Sequence, residues 1–301
     1  MTVHVSVPAT IANLGPGFDV LGLAVQLHDR ITMAVDEETT VAFTGPQAAA
    51  LGEVPRPLVA RAAEAVAQEA GRRERFRITV ACAIPVARGL GSSAASVVGG
   101  LVAANHLLGG PLPQERLLAL AAGIEGHPDN VAPALLGGVV AVVADEEGLH
   151  PVRFLPRADL DVVVAVPEIS VATAEARALL PETVPHADAV FNVGRAALLV
   201  AALLTGEERL LRPAMRDRLH QPYRARLVPG LPEVLAAAEA AGAYGAALAG
   251  SGSSVAALAP PERSERVGAA MVDVFARRGI AAEVLLTQVD PHGAVVHEEM
   301  P

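Results

Sequence analysis

The sequence predicts an α+β protein, because segments with the patterns of strands and of helices occur in both halves of its 301 residues. Alternating apolar residues, as in VHVSV at 3–7 and RFRITVACAI at 75–84, are typical of strands. Apolar residues at helical spacing before a glycine, as in PLVARAAEAVAQEAG at 57–71, are typical of a helix. The sequence has no internal repeat, low-complexity tract or long linker.

The individual elements follow from the same patterns. In chain order we predict strands at 3–7, 75–84, 138–145, 160–166, 244–250, 253–260 and 281–287, and helices at 57–71, 93–110, 113–126, 232–242 and 263–279. Gly109 and Gly126 end two of these helices, as glycine commonly does. We place a domain boundary near 155–160, in RFLPRADLD, which gives one domain over 1–157 and a second over 158–301.

The composition limits the classes of function. The chain is 52% hydrophobic but only 3% aromatic, so its core must be aliphatic. A net charge of −10 argues against a nucleic-acid partner, because such binding depends on neutralising phosphates. It does not exclude a small anionic ligand, since a few arginines in one cleft can outweigh the global charge locally.

The sequence favours a cytoplasmic protein without a membrane partner. Cys82 is the one cysteine, which excludes an internal disulfide and fits a reducing compartment. Met1 is not followed by the basic segment and then the apolar segment that are typical of a signal peptide. The longest uncharged stretch, 89–114, is interrupted by glycine, proline and polar residues, so we do not expect it to span a membrane.

The stretch IPVARGLGSSAAS at 84–96 has the pattern of a phosphate-binding loop between a strand and a helix. The chain contains no lysine, so the lysine of a Walker-type loop is absent. Backbone N–H groups at a helix start can bind phosphate without it, and Arg88 can supply the cation. The alternative is a tight turn that binds no ligand.

Small residues in this loop support the phosphate hypothesis. Gly89 and Gly91 allow positive φ angles and a close approach of the backbone to a ligand. Ser92 and Ser93 can cap the following helix or donate to phosphate oxygens. Two other glycine-containing loops, NLGPGFD at 13–19 and the turn within 245–257, suggest that three loops share one ligand cleft.

The stretch EGHPDN at 125–130 concentrates four polar side chains: Glu125, His127, Asp129 and Asn130. One interpretation is a helix end at Gly126 followed by a polar turn. The other is a carboxylate for Mg²⁺ together with polar groups for a substrate hydroxyl, because metal-bound ATP needs only one or two protein carboxylates. The spacing does not match a zinc site.

These motifs carry a resemblance to a known family. PVARGLGSSAA at 85–95 resembles the phosphate loop of the GHMP kinases. PATIANLGPGFDVLGLAV at 8–25, EGHPDNVAPALLGG at 125–138 and LAGSGSS at 248–254 narrow the resemblance to the homoserine kinases of that superfamily. The order and spacing of the motifs agree, and the resemblance covers nearly the whole chain.

The resemblance implies a fold and an activity. The fold is an N-terminal domain like the second domain of ribosomal protein S5, with a left-handed βαβ crossover that departs from the usual handedness, and a ferredoxin-like C-terminal domain. The activity is ATP-dependent phosphorylation of the side-chain hydroxyl of L-homoserine to O-phospho-L-homoserine, for threonine biosynthesis. A GHMP kinase for another small alcohol and a non-catalytic nucleotide-binding relative remain alternatives. A homodimer is compatible with the sequence, which does not determine oligomeric state.

The resemblance also implies site residues. ATP, in a syn conformation, would lie over Pro85, Val86, Ala87, Arg88, Gly89, Leu90, Gly91, Ser92, Ser93, Ala94 and Ala95. Mg²⁺ would be held by Glu125, with Ser92 or Ser93 assisting. L-homoserine would contact Asn13, Asp19, His127, Thr173, Arg177, Arg224 and Gly252.

Charge complementarity supports part of this assignment. Arg177 and Arg224 suit the substrate carboxylate, and Asp19 suits its ammonium group. Without the resemblance, the sequence favours the interpretation of Arg177 as a surface residue of an amphipathic helix.

We assign three catalytic residues, Asn130, Asp129 and Arg177. In related kinases an aspartate lies near the substrate hydroxyl, and the matching residue here is Asn130. Because asparagine cannot take a proton, we expect the transfer to lack a strong general base, which phosphoryl transfer tolerates. Asp129 is the rival base, and we assign it an orienting role.

Overall fold

The computed structural model describes residues 1–51 and 57–297. The strands are β1 (Thr2–Ala12), β2 (Leu21–Asp36), β3 (Thr40–Thr44), β4 (Arg75–Ala81), β5 (Val139–Asp145), β6 (Gly148–Phe154), β7 (Asp161–Pro167), β8 (Gly245–Leu248), β9 (Val255–Ala259), β10 (Ala282–Thr287) and β11 (Val295–His297). The helices are α1 (Ala48–Leu51), α2 (Leu58–Glu69), α3 (Ser92–Leu107), α4 (Gln114–Glu125), α5 (Pro128–Leu136), α6 (Thr173–Ala178), α7 (His186–Thr205), α8 (Leu211–Ala214), α9 (Gln221–Arg224), α10 (Leu231–Ala241) and α11 (Ser264–Ala276).

The first sheet has the strand order β11-β1-β2-β4-β3, with β5 paired to β2 and β6 to β5. Neighbouring strands are antiparallel except β3 and β4, which are parallel and have α1 and α2 between them in the chain. The alternation predicted for β1 places Val3, Val5 and Val7 in the core. Helix α3 packs on β1 and β2, so the loop before α3 lies near the end of β1.

The second sheet has the strand order β10-β7-β9-β8, and all its neighbouring strands are antiparallel. Helix α10 precedes β8, and α11 connects β9 to β10. The resulting β-α-β-β-α-β arrangement is the ferredoxin-like topology that the resemblance implied. Its core contains Val163, Leu248, Val267 and Phe275.

Most predicted elements are confirmed within a few residues, and the differences have local causes. The strand predicted at 3–7 runs through the whole of β1, and a helix begins at Pro128 where a polar turn was one alternative. Strand β2 was not predicted, because HDR at 28–30 interrupts its apolar pattern. The buried Asp29 within it accepts hydrogen bonds from the backbone N–H groups of Ala83 and Ile84, at 2.7 and 2.9 Å.

The end of the described chain returns to the first sheet. Strand β11 pairs with β1, and His28 Nε2 lies 2.8 Å from a carboxylate oxygen of Asp290. The two sheets separate between β6 and β7, close to the predicted boundary at 155–160. The domain division at 157/158 stays a prediction, since residues after β10 contact the first sheet.

The sequence patterns gave no bounds for helix α7. By length and composition alone it could cross a membrane, which is weak evidence because a helix of a soluble protein can pass the same test. Its Leu199, Ala202 and Leu203 are buried in the core. The stretch at 89–114 contains instead the end of a loop, helix α3 and the following turn.

Candidate active site

A cavity of about 340 Å³ is lined by segments from both halves of the chain. The first half contributes 85–93, the loop between β1 and β2, and the junction of α4 with α5. The second half contributes the start of α6, Arg224 on α9, and the loop between β8 and β9. The three glycine-containing loops singled out in the sequence therefore meet at one cavity.

The loop at 85–93 ends at the N-terminus of α3, where Gly91 precedes the helix with φ 72°. The first N–H groups of a helix have no intrahelical partner and carry the positive end of its dipole. These groups follow the part of the loop that lines the cavity, which is the arrangement of an anion site. Arg88 also lines the cavity, and its Nη1 lies 3.4 Å from the carbonyl oxygens of Val86 and Ala87.

The glycines of this loop have a different physical role from the one expected. Their φ angles are positive, as predicted, but a Cβ on Gly91 would lie 1.9 Å from Thr10 Oγ1. A Cβ on Gly89 would lie 2.1 Å from the carbonyl oxygen of Ala249. The space that each glycine leaves is therefore filled by protein, and the loop depends on glycine for its packing against β1 and the β8–β9 loop.

Glu125 lies at the C-terminal end of α4, next to the start of α3. Ser93 Oγ donates a short hydrogen bond to Glu125 Oε1. Burial raises the pKa of Glu125, and the Ser93 hydroxyl opposes this shift. In the part of the chain that the structure describes, no arginine or histidine forms an ion pair with Glu125.

Asn13 joins two of the three loops. Its Nδ2 donates to the carbonyl oxygen of Gly250 at 3.0 Å, and its Oδ1 accepts from the backbone N–H of Asp19 at 3.1 Å. Asn13, Leu14 and Asp19 have positive φ angles, as does Ala87. Backbone strain in non-glycine residues concentrates at functional sites, and here it occurs in two loops that line the cavity.

Two arginines and one aspartate form a charged group in the cavity. Arg177 donates two hydrogen bonds to the carboxylate of Asp19, at 2.9 and 2.8 Å. Arg224 is only 2% exposed, so its charge is held out of bulk water. Both guanidinium groups lie over the ring of Phe18, 5.5 Å from its centroid for Arg177 and 5.2 Å for Arg224.

The first turn of α5 places three polar residues at the same cavity. Thr10 Oγ1 donates to Asn130 Oδ1 at 2.8 Å, and Asn130 Nδ2 lies 3.5 Å from Asp129 Oδ1, a contact that uses at most one of its two N–H groups. Burial, reinforced by the charge of Asp19, raises the pKa of Asp129 to about 7. Burial and then Arg177 lower the pKa of His127, which favours the neutral imidazole.

Comparisons with known proteins agree with this geometry. The family model described as the N-terminal domain of GHMP kinases matches residues 57–138, and the C-terminal model matches 199–277. A homoserine kinase from Carboxydothermus hydrogenoformans is 43% identical over 295 residues, covering 97% of this chain and 96% of the relative. The chain belongs to the homoserine kinases of the GHMP family.

Other matches extend the comparison within and beyond this family. A homoserine kinase from Moorella thermoacetica is 45% identical over 293 residues, covering 97% of this chain and 99% of the relative. The crystal structure of a homoserine kinase from Cytophaga hutchinsonii superposes with a TM-score of 0.89 at 33% identity, covering 98% and 97% of the two chains. Mevalonate kinase from L. major, at 15% identity and a TM-score of 0.72, shares the fold alone.

Three residues assigned from the motifs of the homoserine kinases do not line the cavity. Ala94 and Ala95 follow the loop on α3, and both are fully buried in the apolar core. Gly252 lies in the β8–β9 loop, where the cavity is lined by Gly250 and Ser251 instead. A Cβ on Gly252 would point toward Leu248, at 3.0 Å from its Cδ1. Position along a motif therefore did not decide which residues face the cavity.

The structure also brings residues to the cavity that sequence reasoning missed. An apolar group comes from β3, α1 and the start of α2, namely Phe43, Leu51, Pro57, Leu58 and Val59. Such residues give no signal in the sequence, because they resemble core residues. Ser96 also lines the cavity, and its position one helical turn after Ser92 and Ser93 could have indicated this.

Proposed function

We propose that this protein transfers the γ-phosphoryl group of ATP to the side-chain hydroxyl of L-homoserine and releases O-phospho-L-homoserine for threonine biosynthesis. One observation carries the proposal. The cavity that the loop at 85–93 lines is also lined by Asp19, Arg177 and Arg224. These side chains match the ammonium and carboxylate groups of an α-amino acid, whereas a sugar or an isoprenoid alcohol has no such pair of charges.

In this proposal the amino acid is held by its two charges. Arg177 and Arg224 bind the carboxylate, and Asp19 binds the ammonium group. Thr173, at the start of α6, and His127 line the same cavity and complete the substrate contacts. Asn13 acts chiefly by fixing the backbone N–H of Asp19 and the carbonyl of Gly250. The second N–H of the Asn13 side-chain amide donates a hydrogen bond to the substrate.

ATP use follows from membership of a kinase family, and its detailed contacts are part of the proposal. The free N–H groups at the start of α3 and the Arg88 side chain bind the phosphates. The apolar group from β3, α1 and α2 offers a surface for the adenine ring, because pockets for planar ligands are lined mainly by apolar side chains.

Mg²⁺ fits the donors beside the phosphate loop. Glu125 supplies a carboxylate, and Ser93 and Ser92 supply hydroxyl groups, which are the hard oxygen ligands that Mg²⁺ prefers. The carboxylate of Glu125 has a hydroxyl partner but no cationic partner among the described residues, and such a carboxylate suits a metal cation. When bound, Mg²⁺ would neutralise charge on the phosphate oxygens of ATP.

The chemical step requires little covalent chemistry from the protein. The substrate hydroxyl oxygen forms a bond to the γ-phosphorus as the bond from that phosphorus to the β,γ-bridging oxygen breaks, and ADP leaves. Asn130, oriented by Thr10, donates to the hydroxyl oxygen and positions it. The hydroxyl proton passes to an oxygen of the transferred phosphoryl group.

Asp129 is assigned an orienting role in this scheme. The pKa of about 7 that burial gives its carboxyl group is the observation that favours Asp129 as the proton acceptor instead. A cytoplasmic location and a homodimeric assembly stay predictions.

A coupled ADP-release assay tests the proposed function. ADP release should depend on L-homoserine and should be much slower with 3-aminobutan-1-ol, in which a methyl group replaces the carboxylate. A panel of other small alcohols, including mevalonate and galactose, serves as the comparison. ADP release that is fastest with one of those alcohols, or absent with all of them, would contradict the proposal.

A further inference from the structure

We infer that His220 is a positioning residue, which holds Arg224 in the orientation that binds the substrate carboxylate. His220 is fully buried, and the sequence analysis assigned it no role. It immediately precedes α9, and Arg224 is the last residue of that helix. The inference rests on the proposed function, because it requires that Arg224 binds a carboxylate.

The hydrogen bonds of His220 determine its tautomer. Nε2 lies 2.8 Å from the carbonyl oxygen of Gly15, which can only accept, so Nε2 carries the proton. Nδ1 lies 3.3 Å from Nη1 of Arg224, which can only donate, so Nδ1 presents its lone pair. The ring must therefore be neutral for both contacts to form.

The surroundings of the ring favour this neutral form. Burial lowers the pKa of His220, and the Arg224 guanidinium lowers it further against the opposing effect of Asp217. Asp217 accepts hydrogen bonds from the backbone N–H groups of His220 and Gln221, at 3.1 and 2.7 Å. The ring of His220 also stacks on that of Phe18, with centroids 5.2 Å apart.

The contacts of Arg224 leave one side of its guanidinium for a ligand. Nη1 donates to His220 Nδ1 and to the carbonyl oxygen of Gly250, at 3.0 Å for the latter, so both of its protons are used. Nε lies 3.5 Å from the carbonyl oxygen of Ala176. Nη2 has no hydrogen-bond partner within residues 1–51 and 57–297, and Arg224 lines the cavity. Without His220, one of the contacts that fix this rotamer is lost.

Two substitutions of His220 test the roles of its two ring nitrogens separately. In His220→Gln the side-chain amide reaches Gly15 as Nε2 does, but the acceptor for Arg224 is lost. In His220→Asn an oxygen replaces Nδ1 and the bond to Gly15 is lost. Both variants lose the stacking on Phe18, so they form a matched pair, and His186→Gln on the exposed start of α7 is the control.

We expect His220→Gln to raise the KM for L-homoserine about tenfold, as for the loss of one hydrogen bond to a charged group. Its preference for L-homoserine over 3-aminobutan-1-ol should fall by a similar factor, with the KM for ATP unchanged. His220→Asn should keep most of that preference. In the double variant His220→Gln with Arg224→Ala, the preference should be no lower than in Arg224→Ala alone, because His220 acts through Arg224.

Equal preference in wild type, His220→Gln and His220→Asn, with wild type clearly favouring L-homoserine, would overturn the role of His220 and leave the proposed function intact. A wild-type enzyme that phosphorylates both compounds equally would overturn the carboxylate assignment and this inference with it. If His220→Gln does not fold, ¹⁵N NMR of the wild type decides. A neutral Nε2–H ring at pH 7 supports the inference, and an Nδ1–H or doubly protonated ring overturns it.

Discussion

At the scale of single residues, Glu125 gives the most direct prediction. Glu125→Gln keeps the shape and the acceptor for Ser93 but removes the anionic charge that a magnesium ion requires. We expect turnover to fall at least tenfold, with partial recovery at high Mg²⁺ concentration, and an ADP-release assay at graded Mg²⁺ measures both effects. Glu115→Gln, at the other end of α4, is the matched control. Near-normal turnover of Glu125→Gln at ordinary Mg²⁺ would limit Glu125 to a structural role at the helix end.

Asp129 gives a second prediction at this scale, on catalysis. If Asp129 orients rather than accepts the proton, Asp129→Asn should lower turnover by much less than the roughly 10²–10⁴-fold that loss of a general base can cost. Asn130→Ala should lower it through lost positioning of the hydroxyl. A loss near the top of that range in Asp129→Asn, with folding and substrate binding intact, would make Asp129 the base.

Asp129→Asn should also change the pH dependence of stability. Burial raises the pKa of Asp129 from 3.8 to about 7, so over this window the folded protein keeps a proton that the unfolded chain has released. The contribution of the protonated carboxyl is therefore lost as the pH rises through about 7. We expect the difference in Tm, Asp129→Asn minus wild type, to become more positive from about pH 5 to about pH 8. A difference that stays constant would contradict the raised pKa.

At the scale of elements, the loop before α3 is held by its contact with β1. Gly91→Ala combines a positive φ with a Cβ 1.9 Å from Thr10 Oγ1. Gly109→Ala is the matched control, because Gly109 also has a positive φ, +87°, but nothing lies within 4 Å of its Cβ. The φ strain costs about 1–2 kcal/mol in either variant, so any further loss of stability in Gly91→Ala measures the packing against Thr10.

We expect thermal unfolding to give a clearly lower Tm for Gly91→Ala than for Gly109→Ala. Turnover should fall as well, because Thr10 also orients Asn130 through its hydroxyl. Equal Tm values would mean that the loop moves away from β1 without cost and that its packing is not specific.

At the scale of the whole molecule, the proposed carboxylate site depends on segments from both halves of the chain that line one cavity. Arg177 and Arg224 come from the second half of the chain, and Asp19 comes from the first. We expect Arg177→Ala and Arg224→Ala each to weaken L-homoserine use about 10- to 100-fold, since a hydrogen bond between charged groups contributes about 1.5–3 kcal/mol. The KM for ATP should hardly change, and steady-state kinetics measures both constants.

This prediction has two kinds of control, an arginine outside the cavity and lysine in place of each arginine of the site. Arg209→Ala removes an exposed arginine outside the cavity and should leave both constants unchanged. Arg177→Lys and Arg224→Lys should recover little activity, because lysine lacks the planar fork that binds a carboxylate at two points. If both alanine variants kept the full preference for L-homoserine over 3-aminobutan-1-ol, the carboxylate would be bound elsewhere.

The sequence by itself determined the features that depend on neighbouring residues. Alternation along 3–7 and helical spacing along 57–71 predicted β1 and α2, because these periods follow from the local backbone. The glycine-rich turn at 89–91 predicted the loop before α3 for the same reason. The motif resemblance supplied the family and the ferredoxin-like topology, which local patterns alone did not define.

The tertiary structure alone decided which distant groups meet and which side of each element they face. Arg177 and Asp19 pair across 158 positions, and no local pattern encodes such a contact. The direction of Ala94 and Ala95 depended on where α3 packs, and the need for Gly91 depended on Thr10, a residue of β1. His220 resembled an ordinary polar residue in the sequence, because its contact with Gly15 and its stacking on Phe18 come from a chain segment that only the fold brings to it.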